Sequence, residues 1–387
     1  MPNANCGNQS LKASAVVNCD DPNEASETDQ GESMIVDFQH HYTPPELLEQ
    51  GDAGILRLDE HGNPVYKLNP LLADLPAHVR MMDRAGIDAA VLSCGSGFDQ
   101  TRIETCRLIN DRMRQAERDH PNRFIGLAHV PAFDVEECRA ELKRCAVELG
   151  FPGVAIASEL QGQALDAEAL RPFWLCCAEL DLYVYIHPLP RVIAWPQMYV
   201  DDLGRMLGWE FSLMVAAVRL INSGLFDEFP TLRVHLSHFG GGIGRYLPRI
   251  RGLQDRARNG TTLLPNHGRT PQKPFDYYLE ERLVFDCCGW SSSDRAAEEG
   301  SLWVQAGLAE LPKSRIVFAT DYPQGVQDDE QVTGYVEAVR TGGAKALAML
   351  NGANARVLIR DLDERRRLPV SGVYRGAGRS MTGKGSA

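Results

Sequence analysis

The sequence predicts an α/β protein, a (β/α)8 TIM barrel, and three observations carry that expectation. Eight short apolar or β-branched runs recur along the 387 residues. Amphipathic stretches rich in Ala, Leu, Glu and Arg separate most of them. Strands alternating with helices imply parallel pairing through crossover helices, and eight such units in about 330 residues favour closure into a ring. The third observation concerns the rival, an open doubly wound sheet. That fold usually carries a Gly-rich phosphate turn after its first strand, and Gln39-His40-His41-Tyr42-Thr43-Pro44-Pro45 is not one.

In chain order the strands are expected at Met34–Val36, Ala89–Leu92, Phe124–Val130, Gly153–Ala157, Leu182–Ile186, Leu232–Leu236, Arg282–Phe285 and Arg315–Thr320. Helices are expected over Ala77–Ala85, Glu104–Asp119, Val135–Glu148, Ala167–Leu180, Leu203–Ser223 and Gln331–Val339. Residues 33–367 are read as the barrel domain. An insertion at about 45–76, after the first strand, reads as a hairpin or lid. Residues 1–32 are polar and acidic and read as a disordered leader; residues 368–387 read as a flexible tail.

Composition narrows the function. Hydrophobic residues make up 44% of the chain, enough for a large core. The net charge of -12 disfavours a nucleic-acid partner. No apolar run approaches the roughly 20 residues that span a bilayer, and no basic-then-apolar leader marks a signal peptide, so a cytoplasmic protein with no membrane partner is expected. The ten cysteines, including the adjacent pairs Cys176-Cys177 and Cys287-Cys288, form no CxxC pattern and read as buried thiols.

The chemistry sits at strand ends. Alternate residues of an extended strand share a face, so Asp37, Gln39 and His41 are expected to point one way and His40 the other. His187 ends the fifth run. His238 follows the sixth and precedes Gly240-Gly241-Gly242; His235 lies deeper. Asp321 follows the eighth. Taken singly, a histidine after a strand is more often structural, and an Asp before Tyr-Pro is more often a turn or cap. Together they occupy the end of the barrel where active sites are built, and closure brings strands one and eight together. Imidazole and carboxylate ligands suit one divalent ion, Zn²⁺ first, with Mn²⁺ or Fe²⁺ as alternatives. Gln39 occupies the position where a chelating partner of His41 is expected. Arg191, Trp195, Phe239 and Trp290 are candidate substrate contacts near the mouth, although loop residues of this kind often have no such role. Tyr183 and Tyr185 read as barrel-interior packing. His129, Asp286 and Cys288 are open between core and pocket roles.

These residues also carry a resemblance. The segments are Asp37-Phe38-Gln39-His40-His41-Tyr42-Thr43-Pro44, Met82-Asp83-Arg84-Ala85-Gly86-Ile87-Asp88, His120-Pro121-Asn122-Arg123-Phe124-Ile125-Gly126 and Leu149-Gly150-Phe151-Pro152-Gly153-Val154. Ile186-His187-Pro188, Ser237-His238-Phe239-Gly240-Gly241, Thr320-Asp321-Tyr322-Pro323 and Asn354-Ala355-Arg356 complete the set. As an ordered set over roughly residues 34–360 the chain resembles the amidohydrolase superfamily, in the amidohydrolase-2 branch with aminocarboxymuconate semialdehyde decarboxylase and the aromatic-acid decarboxylases. The resemblance implies that Gln39, His41, His187 and Asp321 surround one metal ion. It implies that His238 is the acid/base, with Asp321 assisting, and that the protein is a homodimer. The family's first strand usually reads Asp-x-His-x-His, with Glu for the first His in some decarboxylases; this chain has Gln39 there. The expected activity is non-oxidative decarboxylation of a small aromatic or unsaturated carboxylic acid. A hydrolase or hydratase on the same scaffold is the alternative, and a non-catalytic ligand-binding barrel is the third reading.

Overall fold

A computed structural model describes residues 34–48, 56–58, 64–67, 69–188, 198, 201, 203–260, 271–289, 296–341, 346, 352, 354–362 and 364. The expected leader and tail, and the loop residues Arg191, Trp195 and Trp290, lie outside the described residues.

Eight parallel strands form the centre: β1 (Val36–His41), β2 (Ala89–Ser93), β3 (Phe124–Gly126), β4 (Gly153–Ala157), β5 (Tyr183–His187), β6 (Val234–Leu236), β7 (Leu283–Asp286) and β8 (Ile316–Val317). They pair as β1-β2-β3 and as β8-β7-β6-β5-β4. Backbone hydrogen bonds cross both seams between these sheets. At one, the Ala128 N–H donates to Gly153 O and the Ala155 N–H to Ala128 O, both at 2.9 Å. At the other, the Phe38 N–H donates to Phe318 O (2.9 Å), the Asp321 N–H to Gln39 O (2.9 Å) and the His41 N–H to Tyr322 O (2.8 Å). The ring therefore closes as a TIM barrel, and β8, though short, extends through single bonds to β1.

The helices form where sequence chemistry supports them. In α1 (Leu75–Ala85), the Asp74 carboxylate caps the Ala77 N–H at 3.0 Å, Pro76 occupies the first turn, and Gly86 ends the helix at φ 71°. In α2 (Ile103–Asp119), Cys106, Ile109, Met113 and Ala116 face the barrel at helical spacing. In α3 (Val135–Arg144), Asp134 caps the Glu137 N–H at 3.1 Å. Inside the insertion, Leu56–Leu58 pairs antiparallel with Pro64–Lys67.

The barrel interior is filled rather than hollow. Phe38, Tyr183, Tyr185 and His235 are buried, and the His235 ring lies 4.7 Å from Tyr185 and 5.9 Å from Phe38. Phe318 points outward and stacks on Tyr335, while buried Val317 and Ala319 flank it with the parity expected of interior residues. The polar cluster at the mouth rests on this packed, aromatic floor.

Candidate active site

The first strand sets the site through an irregularity. Asp37 pairs with Ala90 and His40 with Leu92, so β1 holds one residue more than β2 between these pairs. Such a bulge breaks the two-residue alternation. Phe38, Gln39 and His41 all reach inward: Phe38 to His235, and Gln39 and His41 to Asp321. This corrects the expectation that Asp37 shares a face with Gln39 and His41. The Asp37 carboxylate instead accepts from the Thr320 N–H (2.9 Å), Thr320 Oγ1 (2.5 Å) and the Gln39 N–H (3.3 Å), and pairs with His40 Nδ1 at 2.9 Å. His40 points away from the mouth, as parity predicted; its Nε2 lies 3.1 Å from His78 Nδ1.

Three expected ligands converge. One ligand atom each from His41, His187 and Asp321 lies within 4.8 Å of the others, and all three residues are buried. His41 Nε2 is 2.8 Å from Asp321 Oδ1, and the His41 and His187 rings are 5.0 Å apart. The chemistry fits a divalent cation. His187 Nδ1 donates to the Pro188 carbonyl at 2.9 Å, which leaves Nε2 as its ligand nitrogen. Burial, and then the neighbouring His41 imidazole, hold His187 well below the usual histidine range, so it is neutral with a lone pair available. Burial pushes the Asp321 carboxyl up, but the His41 hydrogen bond and the surrounding imidazoles outweigh it and hold the pKa at about 2. Phe98 stacks on His187 at 4.5 Å and fixes the ring from the other side.

His238 enters on a left-handed turn. Residues His238 to Gly242 all have φ between 51° and 75°. Each non-glycine residue in that region costs about 1–2 kcal/mol, and two of these five are not glycine. The glycines keep the turn affordable, and one is also required sterically: a Cβ on Gly241 would overlap the Glu210 carbonyl. The turn lays His238 beside the helix Trp209–Asn222, where Nδ1 lies 2.8 Å from Glu210 Oε1. Burial alone lowers the His238 pKa, but Glu210, Asp321 and Asp286 outweigh it and raise it to about 9. Asp286 also accepts from the His238 N–H at 2.9 Å and pairs with His235 Nε2 at 2.9 Å. Asp321 is likewise left-handed, at φ 61°. Strain at two neighbouring polar residues is typical of functional sites.

Gln39 stands between these groups. Its Nε2 is 2.9 Å from Asp321 Oδ1 and 3.3 Å from His238 Nε2, while its Oε1 accepts from the Cys288 thiol at 2.9 Å. Burial first, and then the Asp286 carboxylate, push that thiol well above its usual range, so it retains its hydrogen.

Phe239, expected near substrate, is carried by the same turn onto the helix Ala296–Glu310. Its ring is 5.9 Å from Trp303, and the absence of a side chain at Gly307 makes room for it. His129 is a core residue: Nε2 accepts from the Cys94 N–H at 3.1 Å and Nδ1 lies 3.1 Å from Leu127 O. Glu210, Phe98 and Trp209, whose ring is 6.3 Å from His187, were not singled out from sequence. None lies at a strand end, and a lone Glu in an amphipathic helix looks like a solvated one.

A parallel barrel whose strand-end histidines and carboxylate meet at the mouth, beside a carboxylate-paired histidine, defines a class of barrel enzyme. The chain belongs to the amidohydrolase family, in its amidohydrolase-2 branch: the family model described as amidohydrolase matches residues 36–360. The chain is similar to the gamma-resorcylate decarboxylase of Rhizobium sp. (strain MTP-10005), at 30% identity over 346 residues, covering 82% of this chain and 99% of the relative. It is also similar to the 2-amino-3-carboxymuconate-6-semialdehyde decarboxylase of Dictyostelium discoideum, at 30% identity over 347 residues, 84% of this chain and 90% of the relative. Among solved structures it matches the 5-carboxyvanillate decarboxylase of Novosphingobium aromaticivorans, complexed with manganese and 4-hydroxy-3-methoxy-5-nitrobenzoic acid. The TM-score is 0.67 at 24% identity, over 85% of this chain and 96% of that one; this likeness bears on the fold.

Proposed function

We propose that this enzyme is a metal-dependent, non-oxidative decarboxylase of a small aromatic or unsaturated carboxylic acid. The convergence of His41, His187 and Asp321 within 4.8 Å carries the reading; the relatives named decarboxylases, which align over more than four-fifths of the chain, support it. His41, His187 and Asp321 would hold one divalent ion, zinc on the donor set, with manganese or iron as alternatives. When bound, such an ion polarises substrate oxygens and lowers the pKa of bound water.

The remaining steps belong to the chain. His238, kept charged at neutral pH by Glu210, delivers a proton to the carbon that loses CO₂, so a C–H bond replaces the C–C bond. Solvent then restores the proton. Asp321, ionised, orients the reacting group. The indole N–H of Trp209 is buried with no partner among the described residues and is suited to donate to a substrate oxygen. Arg191, Trp195 and Trp290 remain proposed contacts. The assembly is read as a homodimer on the resemblance alone.

The test uses protein purified without chelator, its metal content and product mass with 2,6-dihydroxybenzoate and related hydroxybenzoates. Stoichiometric metal and a product lighter by CO₂ are expected. A product heavier by water would replace this reading with the hydratase, and a metal-free, inert protein with the binding barrel.

A further inference from the structure

Gln39 replaces a residue type expected to bind metal, and its surroundings define another use for it. A side-chain amide has two N–H donors and one acceptor oxygen. With the His238 ring neutral, Nδ1 protonated and Nε2 accepting, every group has a partner: N–H toward Asp321 Oδ1 at 2.9 Å, N–H toward His238 Nε2 at 3.3 Å, and Oε1 accepting from Cys288 Sγ at 2.9 Å. A carboxylate oxygen only accepts, so the group facing Asp321 must be the NH₂. Turning the amide over would set Oε1 against the carboxylate and aim the NH₂ at the thiol hydrogen. Cys288 is itself held by its N–H, 3.3 Å from Asp286 Oδ1; Sγ is also 3.1 Å from that oxygen, and the one thiol hydrogen lies toward Gln39 Oε1, the shorter of the two contacts. Gln39, His238, Asp286, Cys288 and Asp321 are all buried, so water does not substitute for these partners freely.

We propose that Gln39 is a bridge and not a metal ligand: its NH₂ donates to Asp321 and, once the ring has given up its Nε2 proton, to His238, and the Cys288 thiol fixes the orientation of the amide. Joined to the metal-centre reading, on which this part rests, the bridge leaves His41, His187 and Asp321 as the protein's own ligands. Two histidines and one carboxylate leave several coordination positions for substrate oxygens or water. A third imidazole would fill one of them. In this chain that place couples a ligand to the acid/base group, so Gln39 and Cys288 are positioning residues acting through Asp321 and His238.

The first experiment follows the side-chain amide signal of Gln39 in metal-free, ¹⁵N-glutamine-labelled full-length protein, assigned by its loss in Gln39→Ala. Cys288→Ala should displace the signal, and Cys288→Ser, whose hydroxyl donates to the same oxygen, should restore it. A signal unmoved by Cys288→Ala overturns the bridge. The second, on the unmodified chain, is a crystal structure loaded with Zn²⁺. The ion should bind His41, His187 and Asp321 with no Gln39 atom at bonding distance; Gln39 oxygen at about 2.0–2.2 Å from it overturns the proposal. An ion that does not bind these three residues sinks the metal-centre reading instead, and the amide signal still decides the bridge.

Discussion

Glu210 Oε1 lies 2.8 Å from His238 Nδ1, joining a helix to a left-handed turn that is 28 residues further along the chain. A carboxylate only accepts, so Nδ1 carries the proton and Nε2 faces the site. Glu210 thus decides both which ring nitrogen is reactive and how strongly the ring holds a second proton.

Glu210→Gln should lower the His238 titration from about 9, because it removes the largest influence that opposes burial. The folded-state pKa is raised above the unfolded value of about 6.5. The stability it contributes is therefore fully present below about 6.5 and is lost as pH rises through about 9. In metal-free protein the variant should flatten the loss of stability across that window. NMR titration of His238 and urea midpoints at both pH values check this; an unchanged titration would remove Glu210 from the mechanism.

Metal retention should separate the two kinds of histidine. His187→Ala and Asp321→Ala should each lose bound metal and activity together. His238→Ala should keep the metal while turnover falls on the order of 10²–10⁴-fold, the usual contribution of a general acid. Metal analysis beside a decarboxylation assay reads both, and a metal-free His238→Ala would move that residue into the ligand set.

The glycine turn makes a steric prediction. Gly241→Ala puts a Cβ into the Glu210 carbonyl at φ 70°, whereas Gly242→Ala meets nothing within 4 Å at φ 75°. Gly242→Ala should cost about 1–2 kcal/mol of strain. Gly241→Ala should cost clearly more and also displace Glu210 from His238. Urea denaturation of the pair tests this, and equal losses would contradict the close approach.

Asp37 should behave as a structural residue despite its place in the strand-one pattern. Asp37→Ala leaves Thr320 and His40 without their buried acceptor and should destabilise the fold by roughly 3–5 kcal/mol. Metal stoichiometry in the folded fraction should be unchanged. Loss of metal from a fully stable variant would return Asp37 to the site.

Much of the site was legible because a parallel barrel sends the ends of all its strands to one mouth. Strand runs with polar ends at His187, His238 and Asp321 therefore imply convergence before any distance is known. The limits were physical. β1 runs from Val36 to His41 rather than ending at Val36, because its buried polar residues mask it as a strand. Parity failed at Asp37 because a bulge leaves no mark in composition. Phe239 was misplaced because a left-handed turn reverses where its side chain points.

The chain by itself determined the barrel, the strands that carry chemistry and the residue types at their ends, since hydrophobic period and strand order are local properties read along the sequence. Only the tertiary structure decided the partners: Glu210 for His238, Cys288 for the oxygen of Gln39, and Thr320 and His40 for Asp37. Those pairs join residues by single hydrogen bonds across the barrel or through one irregular step in a strand. No periodicity encodes such contacts; they arise once packing brings the strand ends within about 3 Å of one another.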